Sequence, residues 1–495
     1  MAEYKYGVYG QIGADIIQGV EKASVVAVYI GTAPVHLLPD YKGKVNTPIR
    51  ISNIKEARAL LGAQFSSSDK WGKYTLCEAV EAHFNNRIGN VGPIYVINVL
   101  DPATMQGEQE EVELTFTNRR ATIVADAIIV STLVITGKTL GTDYTLTYSD
   151  ATGTLTITDI GETPMTTIQA TYTPVDTDGV DADVIIGGKD SNGNETGIAA
   201  IAKVYRNYNA VPTYIAAPTW SETPSVYEAL CSASQLINDH WFAFVFADIP
   251  VSAADTIDEA ISWKSTNNYT SGVSKVFWPK VQDNGTIYHI STLALVEKMR
   301  VDISNDNIPY EQCANKPIPA TALYISASSP VVGYDRPDAN KLCAAGITTG
   351  IFWEGDWRVW GDHTAAFVDG GSYQAREIFD TNILMLNYIV NSFQREWGNT
   401  IDEPMTVALR DTILNREQEK LDALVSVGAL IGAPKVELVD TASAEGTDVL
   451  LAGFEWQIST TVTPPLKSAT VTVSYTNAGY AVLYGDEAAE EISNG

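Results

Sequence analysis

Apolar residues along this chain follow two different periods, and the points where the period changes divide it into segments. Residues 1–22 are rich in Gly and Tyr without helical spacing, which predicts an extended N-terminal arm. The continuous apolar run Val25 to Ile30, ended by Gly31 and Pro34, predicts a buried strand. Asn53 with Glu56 and Thr75 with Glu78 have capping-box spacing and open two helices, the first closed by Gly62, the second carrying Leu76, Val80 and Phe84. Ile94 to Val99 predicts the next strand. The alternation resumes near residue 196, with a helix around Ile198 to Tyr205 and a strand Thr213 to Ala217. A helix with Val226, Leu230, Ala233 and Ile237 on its apolar face, a strand Phe242 to Ala247, a helix around Ile257 to Trp263 and a strand near Val276 continue it. Strands alternating with helices imply a largely parallel sheet with helices on its faces. Residues 23–100 and 196–345 are therefore expected to form one α/β domain, discontinuous in the chain.

Between these stretches the period shortens to two, at Leu114-Thr-Phe116, Leu146-Thr-Tyr148 and Leu155-Thr-Ile157, while Thr, Asp and Gly become frequent. Residues 101–195 thus predict an inserted antiparallel β domain, facing outward because insertions are tolerated at exposed loops. From residue 346 helical spacing dominates. Ile378, Leu384, Ile389, Phe393 and Trp397 precede Gly398, and Ile413, Leu421, Leu424 and Val425 precede Gly428. With strands at Lys435 to Val439 and Glu455 to Thr460, residues 346–465 predict a C-terminal α+β domain. Pro464 and Pro465 break the ladder, since neither can donate to it. Residues 466–495 then form a C-terminal arm, with the alternating strand Ala469 to Tyr475, and an acidic tail.

Bulk composition narrows the function classes. A chain of 495 residues exceeds the roughly 250–300 that one core supports, so several domains are required. Sixty acidic against 32 basic residues give a net charge of -28, which repels nucleic acid and anionic bilayers. Self-association against such repulsion must rest on packing and backbone pairing. Cys77, Cys231, Cys313 and Cys343 are far apart and form no metal or disulfide pattern. Apolar runs are strand-length, short of the roughly 20 residues a bilayer span needs, and MAEYKYGVYG lacks the order of a signal peptide. The expectation is a protein made and kept in the cytoplasm or released by lysis, with no direct membrane insertion.

Chemical motifs are weak. Asp362-His363 is the one suggestive acid–His pair, and no Gly-x-Ser-x-Gly elbow accompanies it. Thr132 to Thr139 ends in Gly-Lys-Thr but begins with Thr where a phosphate loop needs Gly, and it lies among strands. Gly7, Gly10 and Gly13 follow no strand and read as flexible backbone. Trp353, Trp357 and Trp360, interleaved with Asp356 and Arg358, suit core or subunit-interface packing better than a sugar platform. No catalytic residue, metal ligand or cofactor site is expected, and the expected role is not enzymatic. Two readings compete with a structural one: an α/β enzyme with an unidentified small-molecule site, and an adhesin that binds surfaces through the β insert.

The order of short motifs carries more information than any one of them. Tyr6-Gly7-Val8, Gly31-Thr-Ala-Pro34, Asn46-Thr-Pro-Ile49 followed by Ile51-Ser-Asn53, then Ala345-Gly-Ile-Thr-Thr349, Trp357-Arg-Val-Trp-Gly361-Asp-His-Thr364 and Pro464-Pro-Leu466 resemble, in that order, contractile phage tail sheath proteins. The 101–195 region departs from that pattern. The resemblance implies a subunit that stacks in rings as a helical homo-oligomer around an inner tail tube protein, with baseplate and tail terminator proteins as further partners. It places the protein in a virion tail or phage-tail-like particle assembled in the bacterial cytoplasm. It also implies exchange of terminal arms, with Val8, Ile12, Ile16 and Val20 on the first arm and Val471, Val473 and Tyr475 on the second. Trp357, Arg358, Trp360, Gly361 and Thr364 become the signature and interface of the C-terminal domain. The helix 407–427 is a candidate tube-facing element.

Overall fold

The computed structural model describes residues 25–62, 71–149, 152–326, 335–439 and 453–476. Its largest element is an eight-stranded sheet. The strands are β1 (Ala27–Gly31), β2 (Pro48–Ile51), β3 (Ile94–Asn98), β4 (Tyr214–Ala216), β5 (Phe244–Asp248), β6 (Ser274–Phe277), β7 (Ile347–Trp353) and β8 (Asp356–Trp360), in spatial order β8-β7-β6-β5-β4-β1-β3-β2. Pairing is parallel from β3 through β7 and antiparallel only where β2 and β8 close the two sides. Each of β1, β3, β4, β5 and β6 is buried along its whole length, as expected of strands covered on both faces. Their continuous apolar runs follow from that double cover.

Local signals explain several boundaries. Asn53 Oδ1 accepts the Glu56 amide at 2.9 Å, and Gly62 ends the Ile54–Leu61 helix at φ +67°, a left-handed conformation that glycine adopts at no steric cost. The second expected capping box does not form. Thr75 Oγ1 accepts the Thr32 amide at 3.2 Å and makes no cap bond to the Leu76–Phe84 helix, while Glu78 turns to His289. Tertiary partners take precedence there over the local pattern.

The insert contains two three-stranded antiparallel sheets. Glu110–Thr115, Thr167–Tyr172 and Val134–Ile135 form one; Arg120–Val124, Thr154–Asp159 and Tyr144–Ser149 form the other. Leu114, Leu133, Ile135, Tyr144, Leu155 and Ile157 enclose a core of their own, which Leu37 joins from the main body. The inserted sheets are shorter than the composition shift. Val175, Val180 and Ile185 already pack in the main core.

The large sheet also continues past residue 345. β7 pairs with β6, so the Trp-rich hairpin β7–β8 is the sheet's last part and not the start of the C-terminal α+β region. That region begins with the Asp380–Trp397 helix and continues with the Val407–Ser426 helix and the antiparallel pair β9 (Leu430–Leu438) and β10 (Trp456–Val462). Met385, Ile389, Leu421, Leu424, Leu430 and Val436 form its core. Residues 464–476 separate as a second unit, and within it they carry neither helix nor strand.

Candidate assembly surfaces

The β9–β10 pair is the longer of two two-stranded sheets among the described residues. An isolated two-stranded sheet is marginal in water, and three or more strands or a helical support are needed. Support comes from the two long helices on one side. Outward-facing Lys435, Glu437, Gln457, Ser459 and Thr461 are exposed. Gln418 occupies part of the β9 margin, donating to Pro434 O at 3.0 Å. Among the described residues no third strand pairs with either margin.

Residues 464–476 show the complementary deficit. Val471, Val473 and Tyr475 lie at alternate positions, as a half-buried strand would place them on one face, yet they are 80–86% exposed. The second expected arm carries these side chains outside any strand among the described residues. The first arm, with Val8, Ile12, Ile16 and Val20, lies outside the described residues.

The structure brings the signature residues together at one margin of the large sheet. Trp357 and Val359 point inward from β8, and backbone from 315–318 covers its outer side: Asn315 N–H donates to Val359 O at 2.7 Å and Ile318 N–H to Trp357 O at 2.8 Å. Arg358 reinforces that cover by donating to Asn315 O at 3.0 Å. Trp360 Nε1 donates to Asn340 Oδ1 at 3.2 Å, and the Arg336 guanidinium lies 3.9 Å from the Trp353 ring centroid. Gly361, at φ +134°, passes so close to β7 that a Cβ would come within 2.9 Å of Thr348 Cα. Thr364 then donates to Glu377 O, and His363 Nδ1 pairs with Ile378 O at 2.8 Å while its ring stacks on Phe367. These side chains close the sheet and aim the chain into the Asp380–Trp397 helix. Asp362-His363 belongs to this scaffold, with His363 buried between aromatic rings.

Residues that the sequence reading passed over hold that helix to the sheet. Lys275, buried in β6, pairs with Asp380 at 2.6 Å, and the carboxylate outweighs burial to keep the ammonium pKa raised. Asn391 acts as a strand surrogate, accepting from Phe242 N at 3.0 Å and donating to Phe242 O at 2.7 Å. Nearby, Asp302 accepts from Lys298 and Tyr214, and burial pushes its carboxyl up to about 6.

A second ionic cluster fills the carboxyl ends of the strands, where open α/β sheets commonly bind ligands. His289 Nδ1 lies 2.8 Å from Glu78 and Nε2 3.1 Å from Glu222, and Lys280 is 3.1 Å from Glu222. Burial alone would lower the imidazole pKa, but Glu78 and Glu222 outweigh it and raise His289 to about 10. Beside it Asp248, which accepts from Ser291, is pushed up to about 6 by burial. Protein side chains thus occupy the crevice in which a small-molecule site would be sought.

A mixed α/β chain with a two-stranded sheet and an exposed apolar alternation at 471–475 has surfaces suited to assembly, and the comparisons point to proteins that assemble. No family model matches the chain. The tail sheath protein of Burkholderia phage BcepMu is 26% identical over 497 residues, spanning 94% of this chain and 95% of that protein. The major tail sheath protein of Serratia phage KSP20 is 23% identical over 309 residues, spanning 61% of this chain and 73% of that protein. The fold matches the sheath complex of the PVC extracellular contractile injection system in its contracted state, with a TM-score of 0.56 and 12% identity over 97% of this chain and 99% of that one. Over nearly its whole length the chain is similar in sequence and in fold to contractile tail sheath proteins. It is a structural subunit of a contractile sheath, a component of a virion tail or tail-like particle.

Proposed function

We propose that the subunit polymerises by strand exchange: terminal arms of neighbouring copies complete the β9–β10 sheet, and the resulting rings stack around an inner tube. The observation that carries this reading is a two-stranded sheet that no third strand joins among the described residues, together with the exposed alternation of Val471, Val473 and Tyr475. An added strand satisfies backbone groups on both partners, and side-chain alternation sets its register. At about 0.5–1.5 kcal/mol net per hydrogen bond, two arms of about five residues tie each copy by several kcal/mol. Val8, Ile12, Ile16 and Val20 serve the N-terminal arm.

Contraction is then a change between two packings of rigid subunits, during which the arms keep neighbours linked. Neither nucleotide nor cofactor takes part, and the subunit is not an enzyme. Within it, residues 110–172 form the outward-facing insert and the C-terminal α+β region lies next to the tube. Baseplate and tail terminator proteins cap the polymer, which assembles in the bacterial cytoplasm. Deleting residues 1–20 tests the exchange. Negative-stain micrographs of the purified truncation should show rings or monomers in place of long striated sleeves, and normal sleeves would refute the exchange.

A further inference from the structure

We propose that the groove beside β2 is a docking site for a second copy of this chain, which lays the acidic strand Glu110–Thr115 of its insert against Lys44 and Arg50. The groove encloses about 430 Å³ and is lined by β2, the Ile54–Leu61 helix, the Gly43–Lys44 turn and Tyr208. Lys44 and Arg50 are its cations. Glu56, the one acid on its wall, is already engaged, accepting the Ser52 amide at 2.7 Å. Charge here runs against the rest of the chain. Residues 41–60 carry five bases and one acid, in a protein with 32 bases and 60 acids. Lys42, Arg50 and Lys55 are exposed and Lys44 is half-buried, and none of the four forms an ion pair among the described residues. On the helix that supplies Tyr208, by contrast, Arg206 pairs with Glu195 at 2.7 Å. A cationic surface without internal acid partners, on a chain of net charge -28, selects an acidic surface, and in a sheath polymer the neighbouring surface is another copy.

The acidic set with matching geometry is the first strand of the insert. Glu108, Glu110, Glu111 and Glu113 follow one another with no base between them, and all four are exposed and form no ion pair among the described residues. Glu110 accepts from the Tyr172 hydroxyl and Glu113 from Gln169 at 3.3 Å, which leaves both charges uncompensated. Alternation turns Leu114 into the insert's core and leaves Glu111 and Glu113 on the opposite face, about 7 Å apart. Among the described residues this strand pairs on one side only, with Thr167–Tyr172, so its other margin can enter a groove. Acids closer to the main body are tied into local turns: Asp176 accepts the Asp178 amide, and Asp181 caps the Ala182–Ile186 helix. No ion pair joins the basic and acidic sets within one chain, so the contact is between copies. Its two halves are different surfaces, and a head-to-tail contact of this kind propagates, as rings and helical polymers require. It gives the insert a place at the seam between neighbours. The contact uses neither terminal arm, so normal sleeves from the 1–20 deletion would refute strand exchange and leave it untouched.

Charge reversal in the full-length protein tests it. Lys44→Glu with Arg50→Glu, and separately Glu111→Lys with Glu113→Lys, should each raise the minimum concentration for sleeve formation at least tenfold in light-scattering titrations, with the thermal midpoint of the unassembled protein unchanged. The first pair makes the chain more acidic and the second less so, and general repulsion cannot raise the threshold in both. Combining all four substitutions keeps the net charge at -28 and should return the threshold to within about threefold of wild type. An unchanged threshold with the first pair would show that the groove carries no contact in the polymer. A raised threshold that the combined variant fails to recover would show that another acidic segment fills it. Either result overturns the proposal. If the first pair lowers the thermal midpoint, Lys42→Glu with Lys55→Glu, both exposed, takes its place under the same criteria.

Discussion

The two principal sheets end in opposite ways, and the contrast separates what holds the subunit together from what joins it to others. The eight-stranded sheet is finished on both sides. β2 is short, carries Pro48, and gives the Pro48 carbonyl to the Tyr208 hydroxyl at 2.9 Å, while residues 315–318 cover β8. Such devices blunt a sheet margin against further pairing. β9–β10 has two strands, one margin partly occupied by Gln418, and no further strand among the described residues. For a protein of net charge -28, backbone pairing at such a margin offers a directional contact that does not depend on charge attraction.

The largest expected effect comes from breaking the joint between these two regions. Asp380→Ala leaves Lys275 as an uncompensated charge in a fully buried strand. Removing one partner of a buried pair costs about 3–5 kcal/mol. Urea unfolding of the unassembled variant should show that loss, and a change below about 1 kcal/mol would mean that the C-terminal helices are attached by other contacts.

A pH effect follows in the body built around the large sheet. His289 has a folded pKa raised from 6.5 to about 10, so its contribution to stability is complete below 6.5 and is lost as pH rises through 10. Lys264 works in the opposite sense: burial lowers its pKa to about 8, so its contribution to stability grows above that pH. A comparison with His289→Gln isolates the imidazole. Between pH 7 and 10 the wild-type protein should lose stability relative to the variant, with a slope of about 1.4 kcal/mol per pH unit at most. Parallel stability curves would show that the two carboxylates do not hold the imidazolium.

How much of this was legible beforehand depends on the range of the interaction. Strands buried on both faces announce themselves as apolar runs, as at Val25 to Ile30 and Phe242 to Ala247, and the Asn53 cap is read from four adjacent residues. β7 was assigned to the wrong region because Ile347-Thr-Thr-Gly-Ile reads as neither a strong strand nor a helix. Its place is set by pairing with β6, some 70 residues away in sequence. The Thr75–Glu78 spacing failed for the same reason, since Glu78 has its partner at residue 289. Lys275 in the buried strand Ser274–Phe277 is the local hint of the Asp380 link, because a lone buried ammonium needs a carboxylate. Nothing local identified residue 380 as its source.

The smallest expected effect on the subunit is also the sharpest test of the contrast. Val471→Ser, Val473→Ser and Tyr475→Ser combined replace side chains already 80–86% exposed, so little apolar area returns to water when the subunit unfolds. Surface changes of this kind stay within about 0.5 kcal/mol, and the thermal midpoint of the unassembled protein should not move measurably. Assembly should respond differently. If these side chains become buried against a neighbour's helices, each is worth about 1.5–3 kcal/mol in the polymer, and the minimum concentration for sleeve formation should rise by at least a hundredfold in light-scattering titrations. A destabilised monomer would place the stretch in its own subunit's core. An unchanged assembly threshold with an intact monomer would remove the C-terminal arm from the exchange and leave the N-terminal arm to complete the β9–β10 sheet alone.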